Sequence, residues 1–178
     1  DAAGNPSDPA TATVGADITA PIATAVINHF VDDVEGFTGE FASGTLTNDS
    51  SPKLNITVTG IVTADESVAV YRDNVKVGVA TLVAGGIYEY QDTALQNSTT
   101  YTYKVVVEDS TGNKGTESAG VNITVDLLGP DLNKVVSITS ISDDNGFDNA
   151  DFITNDTQIV INGNISEALA PDERIQIS

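Results

Sequence analysis

The chain has no cysteine, tryptophan or methionine, and only 5 tyrosines and 5 phenylalanines among its 178 residues. A small module of this composition has neither a disulfide nor a large indole to hold its interior. Some other staple must therefore supplement an aliphatic core, and clustered carboxylates suggest a metal. The missing cysteine is neutral on compartment. With His29 as the sole histidine and no thiol beside it, there is no material for a catalytic triad or a zinc centre. His29 reads as an ordinary strand residue.

Positive charge is also scarce, with 7 Lys and Arg against 26 Asp and Glu and a net charge of −19. Nucleic acid and anionic membrane surfaces are excluded as partners by repulsion. No apolar run reaches the ~18 residues of a membrane span, and direct membrane insertion is not expected. The first residues show no basic stretch followed by an apolar one, so any export would be directed from elsewhere. The acidity is not that of a disordered tail, because 40% of the residues are hydrophobic and can build a core.

What is present is β-periodicity. Leu54, Ile56 and Val58 alternate with polar neighbours, as do Val68 and Val70, and Val75, Val77 and Val79. The clearest run is Tyr101, Tyr103, Val105 and Val107 against Thr102, Lys104 and Glu108, followed by Val121, Ile123 and Val125 against Asn122 and Thr124. These are half-buried strands. Turn signals at Asp73-Asn74, Gly85-Gly86, Gln96-Asn97-Ser98 and Thr111-Gly112-Asn113 separate them at sandwich-like spacing. No helix of useful length is predicted. Leu95, six residues before Tyr101, resembles a tyrosine corner, in which the Tyr101 hydroxyl bonds to nearby backbone.

One acidic cassette is written twice, at Asp1-Ala2-Ala3-Gly4-Asn5 and, 108 residues later, at Asp109-Ser110-Thr111-Gly112-Asn113. Each is followed by a short Thr/Ala/Val-rich run and then by Asp17-Ile18-Thr19-Ala20-Pro21 or Asp126-Leu127-Leu128-Gly129-Pro130. A paired-Asp loop comes next, Asp32-Asp33 with Gly36 or Asp143-Asp144 with Gly146, closed by Asn48-Asp49 or Asn155-Asp156. The period is close to the size of one immunoglobulin-like sandwich. The fold class expected is therefore all-β, as tandem Ig-like antiparallel β-sandwich modules. Residues 1–16 read as the C-terminal fragment of a preceding module, 17–126 as a complete one, and 127–178 as the N-terminal part of a following one. Neither fragment can bury a whole core alone.

The stretches Val31-Asp32-Asp33-Val34-Glu35-Gly36, Ala42-Ser43-Gly44 and Leu46-Thr47-Asn48-Asp49-Ser50-Ser51-Pro52 resemble the bacterial Ig-like repeats of giant type I-secreted, RTX-like adhesins, as does Asp109-Ser110-Thr111-Gly112-Asn113. Ile138-Thr139-Ser140-Ile141-Ser142-Asp143-Asp144 with Asp151-Phe152-Ile153-Thr154-Asn155-Asp156 looks like a sister subtype. The resemblance implies extracellular stalks on the bacterial cell surface, with calcium at or near the module junctions and neighbouring modules of the same chain as partners.

Calcium takes about 6–8 oxygen ligands, which Asp, Asn and loop carbonyls supply without a helix. In an Ig-like sandwich the first inter-strand loop lies where the last strand exits. Asp32, Asp33, Asn48 and Asp49 are thus expected near the linker carrying Asp126, as one Ca2+ site. At the opposite end Asp17 is expected near Asp65 and Glu66 and near Asp109 and Asn113, as a second. Asp143, Asp144, Asn155 and Asp156 would repeat the first in the following module. Two carboxylates ~4 Å apart repel by roughly 1 kcal/mol in water and about 4 at an effective dielectric of 20, which favours cation binding or loosened loops. The plainer reading is that these residues form Asx-turns on a solvated surface. EF-hand spacing is absent.

Asp32-Asp33 as a glycosidase pair is disfavoured, because adjacent residues on an extended segment point apart; no enzymatic activity is expected. The Asn-X-Ser/Thr matches at Asn55, Asn97, Asn122 and Asn164 read as outward polar positions. The expected function is a calcium-stiffened extender that projects a distal domain for attachment or biofilm formation, whose ligand the residues do not name. The rival is a module that binds carbohydrate, a host receptor or ice directly, with Tyr88 and Tyr90 as its platform if they are exposed. A cadherin-like reading shares the calcium logic but lacks the linker signatures.

Overall fold

The computed structural model describes every residue except Asp1, Asn5, Ser7, Pro9, Asp131, Leu132, Asp143, Asn145, Gly146, Phe147, Asn149, Ala150, Asp172 and Ser178. The chain forms two compact units, residues 1–127 and 128–178. Within 2–16 the described residues are exposed and form no strand.

The first unit is a β-sandwich of ten strands: β1 (Thr24–Asp32), β2 (Gly39–Phe41), β3 (Leu46–Thr47), β4 (Lys53–Thr59), β5 (Glu66–Arg72), β6 (Val75–Val79), β7 (Thr81–Ala84), β8 (Ile87–Gln91), β9 (Thr99–Asp109) and β10 (Val121–Val125). One sheet has the order β2-β1-β4-β8-β7 and the other β3-β10-β9-β5-β6. The pairings are antiparallel with one departure from expectation: the short β3 runs parallel to β10, Leu46 opposite Thr124 and Thr47 opposite Val125. The chain reaches β3 only after the β1–β2 excursion, so it meets the last strand running in the same direction.

Alternation decides the core. Leu54 and Ile56 of β4, Val68 and Val70 of β5, Tyr103, Val105 and Val107 of β9, and Ile123 and Val125 of β10 are completely buried. β1 breaks the pattern, because its register with β4 shifts between Ile27 and His29. A bulge adds one residue and reverses the side-chain phase. Ala25 and Ile27 face inward before it, and Phe30 and Asp32 after it. The bulge therefore carries the Asp32 carboxylate inside, where it is 1% exposed. The β5–β6 turn is built on Asp73 and Asn74, both with positive φ, the geometry of a two-residue hairpin. At Gly78 an added Cβ would lie 2.4 Å from the Tyr90 ring, and only glycine lets Tyr90 span from β8 to β6.

In place of a disulfide, a charged network ties the two sheets. Asp92, which follows β8, is 4% exposed. Its oxygens accept hydrogen bonds from Arg72 Nη1 of β5 at 2.9 and 3.0 Å, from the Tyr103 hydroxyl of β9 at 2.6 Å and from Thr93 N at 2.7 Å. Burial and the Asp92 carboxylate push the Tyr103 hydroxyl well above the usual phenol range. The Arg72 guanidinium also lies over the Tyr101 ring, 5.2 Å from its centroid. The Tyr101 hydroxyl accepts from Gln96 N at 3.0 Å, the corner expected from the Leu95 spacing.

The second unit contributes β11 (Val136–Ile141) and β12 (Ile161–Ile165), an antiparallel pair. Their pairing repeats β1–β4 position by position. Ile27↔Ile56 and His29↔Asn55 flank the first bulge, and Ile138↔Gly163 and Ser140↔Asn162 flank the second. The first strand is displaced by 111 residues and its partner by 107.

Loss of one partner of a buried ion pair costs about 3–5 kcal/mol, because the other charge is stranded. Asp92→Ala is expected to lower stability by about 3 kcal/mol, read from the urea midpoint. Tyr101→Phe, which removes a single neutral bond, is expected to cost about 1 kcal/mol.

Candidate functional site

The acidic residues gather at the two poles of the first unit. At the pole where β10 leaves, Thr47 of β3 is the centre. Its hydroxyl donates to Asp32 Oδ2 at 2.5 Å and accepts from Asp49 N at 3.1 Å, and its carbonyl accepts from Asp126 N at 2.8 Å. Asp32 Oδ1 takes Val34 N at 2.9 Å. Asp49 Oδ1 takes Ser51 N at 2.7 Å and Ser51 Oγ at 3.1 Å. Asn48 donates through Nδ2 to Glu35 O at 3.4 Å, while its Oδ1 is buried with no hydrogen-bond partner. Asp32 and Asp49 are 1% and 2% exposed, and neither forms an ion pair among the described residues. Asp33 is turned outward and exposed, so the adjacent pair is split between inside and outside. Asn97 joins this pole by accepting Leu127 N through Oδ1 at 2.7 Å.

At the opposite pole a cleft of about 370 Å3 is lined by Asp17, Thr19, Pro21, Asp65, Glu66 and Asp109. Glu66 and Asp109 are direct cross-strand partners at the ends of β5 and β9, an unfavourable placement for like charges. Asn113 Nδ2 donates to Asp17 O at 3.1 Å and to Asp109 Oδ2 at 2.8 Å, tying the incoming chain to the β9–β10 hairpin. Glu66 Oε2 accepts Thr63 N at 2.8 Å and Asp65 Oδ1 accepts Thr63 Oγ1 at 2.6 Å, so both carboxylates are engaged in their own turn.

In the second unit Asp156 repeats the bonds of Asp49: its N–H donates to Thr154 Oγ1 at 3.0 Å and its Oδ1 accepts Gln158 N at 2.9 Å. Asp144 Oδ2 accepts Phe152 N at 3.2 Å, and Asp144 Oδ1 is buried without a partner. Asn155 is exposed, and Asp143 lies outside the described residues. Asn48 Oδ1 and Asp144 Oδ1 are the two buried side-chain oxygens left unpartnered among the described residues. Each falls in a paired-Asp/Asn-Asp cassette.

These donors are all oxygen, the set a hard cation takes. The turn-only reading accounts for much of the hydrogen bonding, and among the described residues no three His, Cys, Asp or Glu side chains converge as a ready metal cage. A buried, unpartnered acceptor beside carboxylates without a counter-ion is the feature that turn formation leaves unexplained. What the exit pole offers is the unpartnered Asn48 Oδ1 beside the Asp32 and Asp49 carboxylates.

Sequence reasoning named Asn48 and Asp49 but passed over Thr47. The signal was present, since both cassettes read Thr-Asn-Asp. It also passed over Glu108, which is 6% exposed on the outer face of β9. Lys76 and Lys114 pair with Glu108 at 2.5 and 3.3 Å, and the Tyr71 hydroxyl donates to it. Burial opposes ionisation there, but the bonds from Lys76, Tyr71 and Lys114 prevail and lower its pKa. Tyr88 and Tyr90 are half-buried and pack against the core, and the Tyr90 hydroxyl is spent on Val77 O at 3.1 Å. They do not form an exposed platform.

Bonds from Asn113 and, against a smaller desolvation effect, from Thr111 hold the Asp109 carboxyl down at about 2, below its ordinary 3.8. A depressed folded-state pKa gives stability that is complete above the unfolded value and is lost as pH falls through the folded one. The Asp109 contribution should therefore disappear between about pH 4 and pH 2. Carboxyl NMR titration is expected to place the Asp109 midpoint near 2, and Asn113→Ala to move it towards 3.8.

Among the described residues no helix is long and apolar enough to cross a membrane. A search of curated proteins found no match to the chain. The family profile described as bacterial Ig-like domain matches residues 26–127, a span that begins inside β1 and ends just past β10. The chain belongs to the bacterial Ig-like domain family, whose modules typically lie in surface and extracellular proteins.

Proposed function

We propose that this chain is a calcium-stiffened extender from a type I-secreted bacterial surface adhesin, made of tandem Ig-like modules that hold a distal binding domain away from the cell for attachment or biofilm formation. Its part is mechanical rather than catalytic. The observation that carries the calcium reading is the exit pole, where among the described residues buried Asp32 and Asp49 lack a cationic partner and Asn48 Oδ1 lacks a hydrogen bond. Asp32, Asn48, Asp49 and Asp126 are the residues that would hold the ion. Bound calcium would supply the positive charge that Asp32 and Asp49 do not find among the described side chains, and the protein's oxygens would be its ligands. The chain's own part is to hold these oxygens in place through Thr47 and the turns at Val34 and Ser51.

The tandem reading is supported by the register match. Applying the 111-residue displacement of β1 to Asp32 and Asp33 leads to Asp143 and Asp144, and the 107-residue displacement of β4 takes Thr47-Asn48-Asp49 to Thr154-Asn155-Asp156. The same bulge recurs, and in the sequence the paired aspartates and the Thr-Asn-Asp run stand at the matching positions. A charge of −19 keeps such modules apart in solution and is partly offset by each cation bound.

At ten times a dissociation constant in the extracellular range of about 10⁻⁴ to 10⁻³ M, binding adds about 1.4 kcal/mol, or about 5 °C in Tm for a module of this size. The chain should melt at a correspondingly higher temperature in calcium than in excess chelator, with a longer particle by small-angle scattering. Asn48→Ala combined with Asp49→Ala should erase the difference. Identical melting and scattering in both buffers would remove calcium from the mechanism.

A further inference from the structure

We infer that the Asp32–Thr47–Asp126 chain of hydrogen bonds is a mechanical latch that couples the first strand of the module to its last. The inference rests on the extender reading, since it concerns a chain pulled from both ends. Tension on such a chain draws β1 out of one pole and β10 out of the other. The two strands run the same way, lie in different sheets and do not pair. Their ends nevertheless meet at Thr47, whose hydroxyl holds Asp32 at the end of β1 and whose carbonyl holds Asp126 N just after β10.

Beside this link β3 lies parallel to β10, and Gly44 N donates to Asn122 O at 2.8 Å. Evenly spaced parallel bonds pulled along the strand axis are loaded together rather than opened one after another. The latch also bypasses residues 33–46, the excursion through β2. While Asp32 stays bonded to Thr47 that excursion carries no load. When the bond is lost, β1 can leave the sandwich before β3 does, with residues 24–45 as its tether. The hydroxyl is buried and shared between Asp32 and Asp49 N, so no water stands ready to replace it.

The test is constant-force unfolding of the full chain in chelator, with handles on Gly15→Cys and Gly129→Cys. The chain has no other cysteine, and a Cβ at either position meets nothing within 4 Å. Thr47→Val is expected to unfold about tenfold faster or more, as for a lost hydrogen bond to a charged group. It should also show an early partial lengthening, bounded by the roughly 75 Å contour of residues 24–45. Thr47→Ser should restore single-step unfolding. Asp32→Asn, which keeps the side-chain shape, should show the partial step should Thr47→Val not fold.

Moving the handles to Gly15→Cys and Ser110→Cys, the latter exposed in the turn after β9 at the opposite pole, leaves the latch unloaded, and there Thr47→Val should show no partial step. A loss of equal size in both geometries, or single-step unfolding of Thr47→Val and Asp32→Asn at the unmodified rate, would overturn the latch. Because every trace is taken without calcium, either result stands apart from the melting and scattering test of the calcium reading.

Discussion

A carboxylate taken out of water must be compensated, and this sandwich buries Asp32, Asp49, Asp92 and Glu108 in a chain with 7 cationic side chains. Desolvation of a single ion costs several kcal/mol even after relaxation, comparable to the net stability of a small domain. How each of the four is compensated therefore governs much of the rest. Asp92 has Arg72 and two hydroxyl or amide donors. Glu108 has Lys76 and Lys114. Among the described residues Asp32 and Asp49 have hydroxyls and backbone N–H groups and no cation. The first two staple the sandwich across its sheets and along one outer face; the last two are confined to the pole where the chain leaves.

The division explains how a core without cysteine or tryptophan holds together. Buried aliphatics from β4, β5, β9 and β10 supply the apolar contacts, and Phe30 and Tyr103 are the aromatics buried completely. Asp92, just after β8, bridges one sheet to β5 and β9 of the other. The protein's own side chains thus supply one staple of the kind the missing disulfide calls for, an ion pair with a tyrosine.

The sandwich itself was legible, because β4, β9 and β10 alternate cleanly and the turns between them carry their usual residues. The polar tyrosine corner was legible for the same reason, since Leu95 and Tyr101 stand at a fixed spacing. What alternation hides is the bulge in β1. Counting by twos from Ala25 and Ile27 puts His29 and Val31 inside, whereas the extra residue at Asn28 puts Phe30 and Asp32 there. Which of two adjacent aspartates is buried was therefore not readable from the pattern. The parallel β3 was hidden by its length of two residues, too short to carry a period. Asp92 and Glu108 were passed over because neither belongs to the repeated acidic cassettes. Their partners are brought to them by sheet pairing and by the packing of one sheet on the other, neither of which leaves a local signature.

The repeat of β1–β4 in β11–β12 bears on how the acidic pole should be weighed. Two segments of different composition keep the same bulge and the same Thr-Asn-Asp sequence, yet the loop between the strands differs by four residues, the difference between displacements of 111 and 107. A loop that served only to turn the chain would have no reason to hold its acidic ends in register while its middle changes length. The bulge fixes the phase of the first acidic pair, and the Thr hydroxyl fixes the second against it. Length variation is absorbed where neither is touched. On the extender reading this separates two responses to the same solvent. Withdrawal of calcium would unload the pole, where Asp32 and Asp49 form no ion pair among the described residues. The core would keep its charge compensation from Arg72, Lys76 and Lys114, so on that reading each module would loosen at its exit while remaining folded.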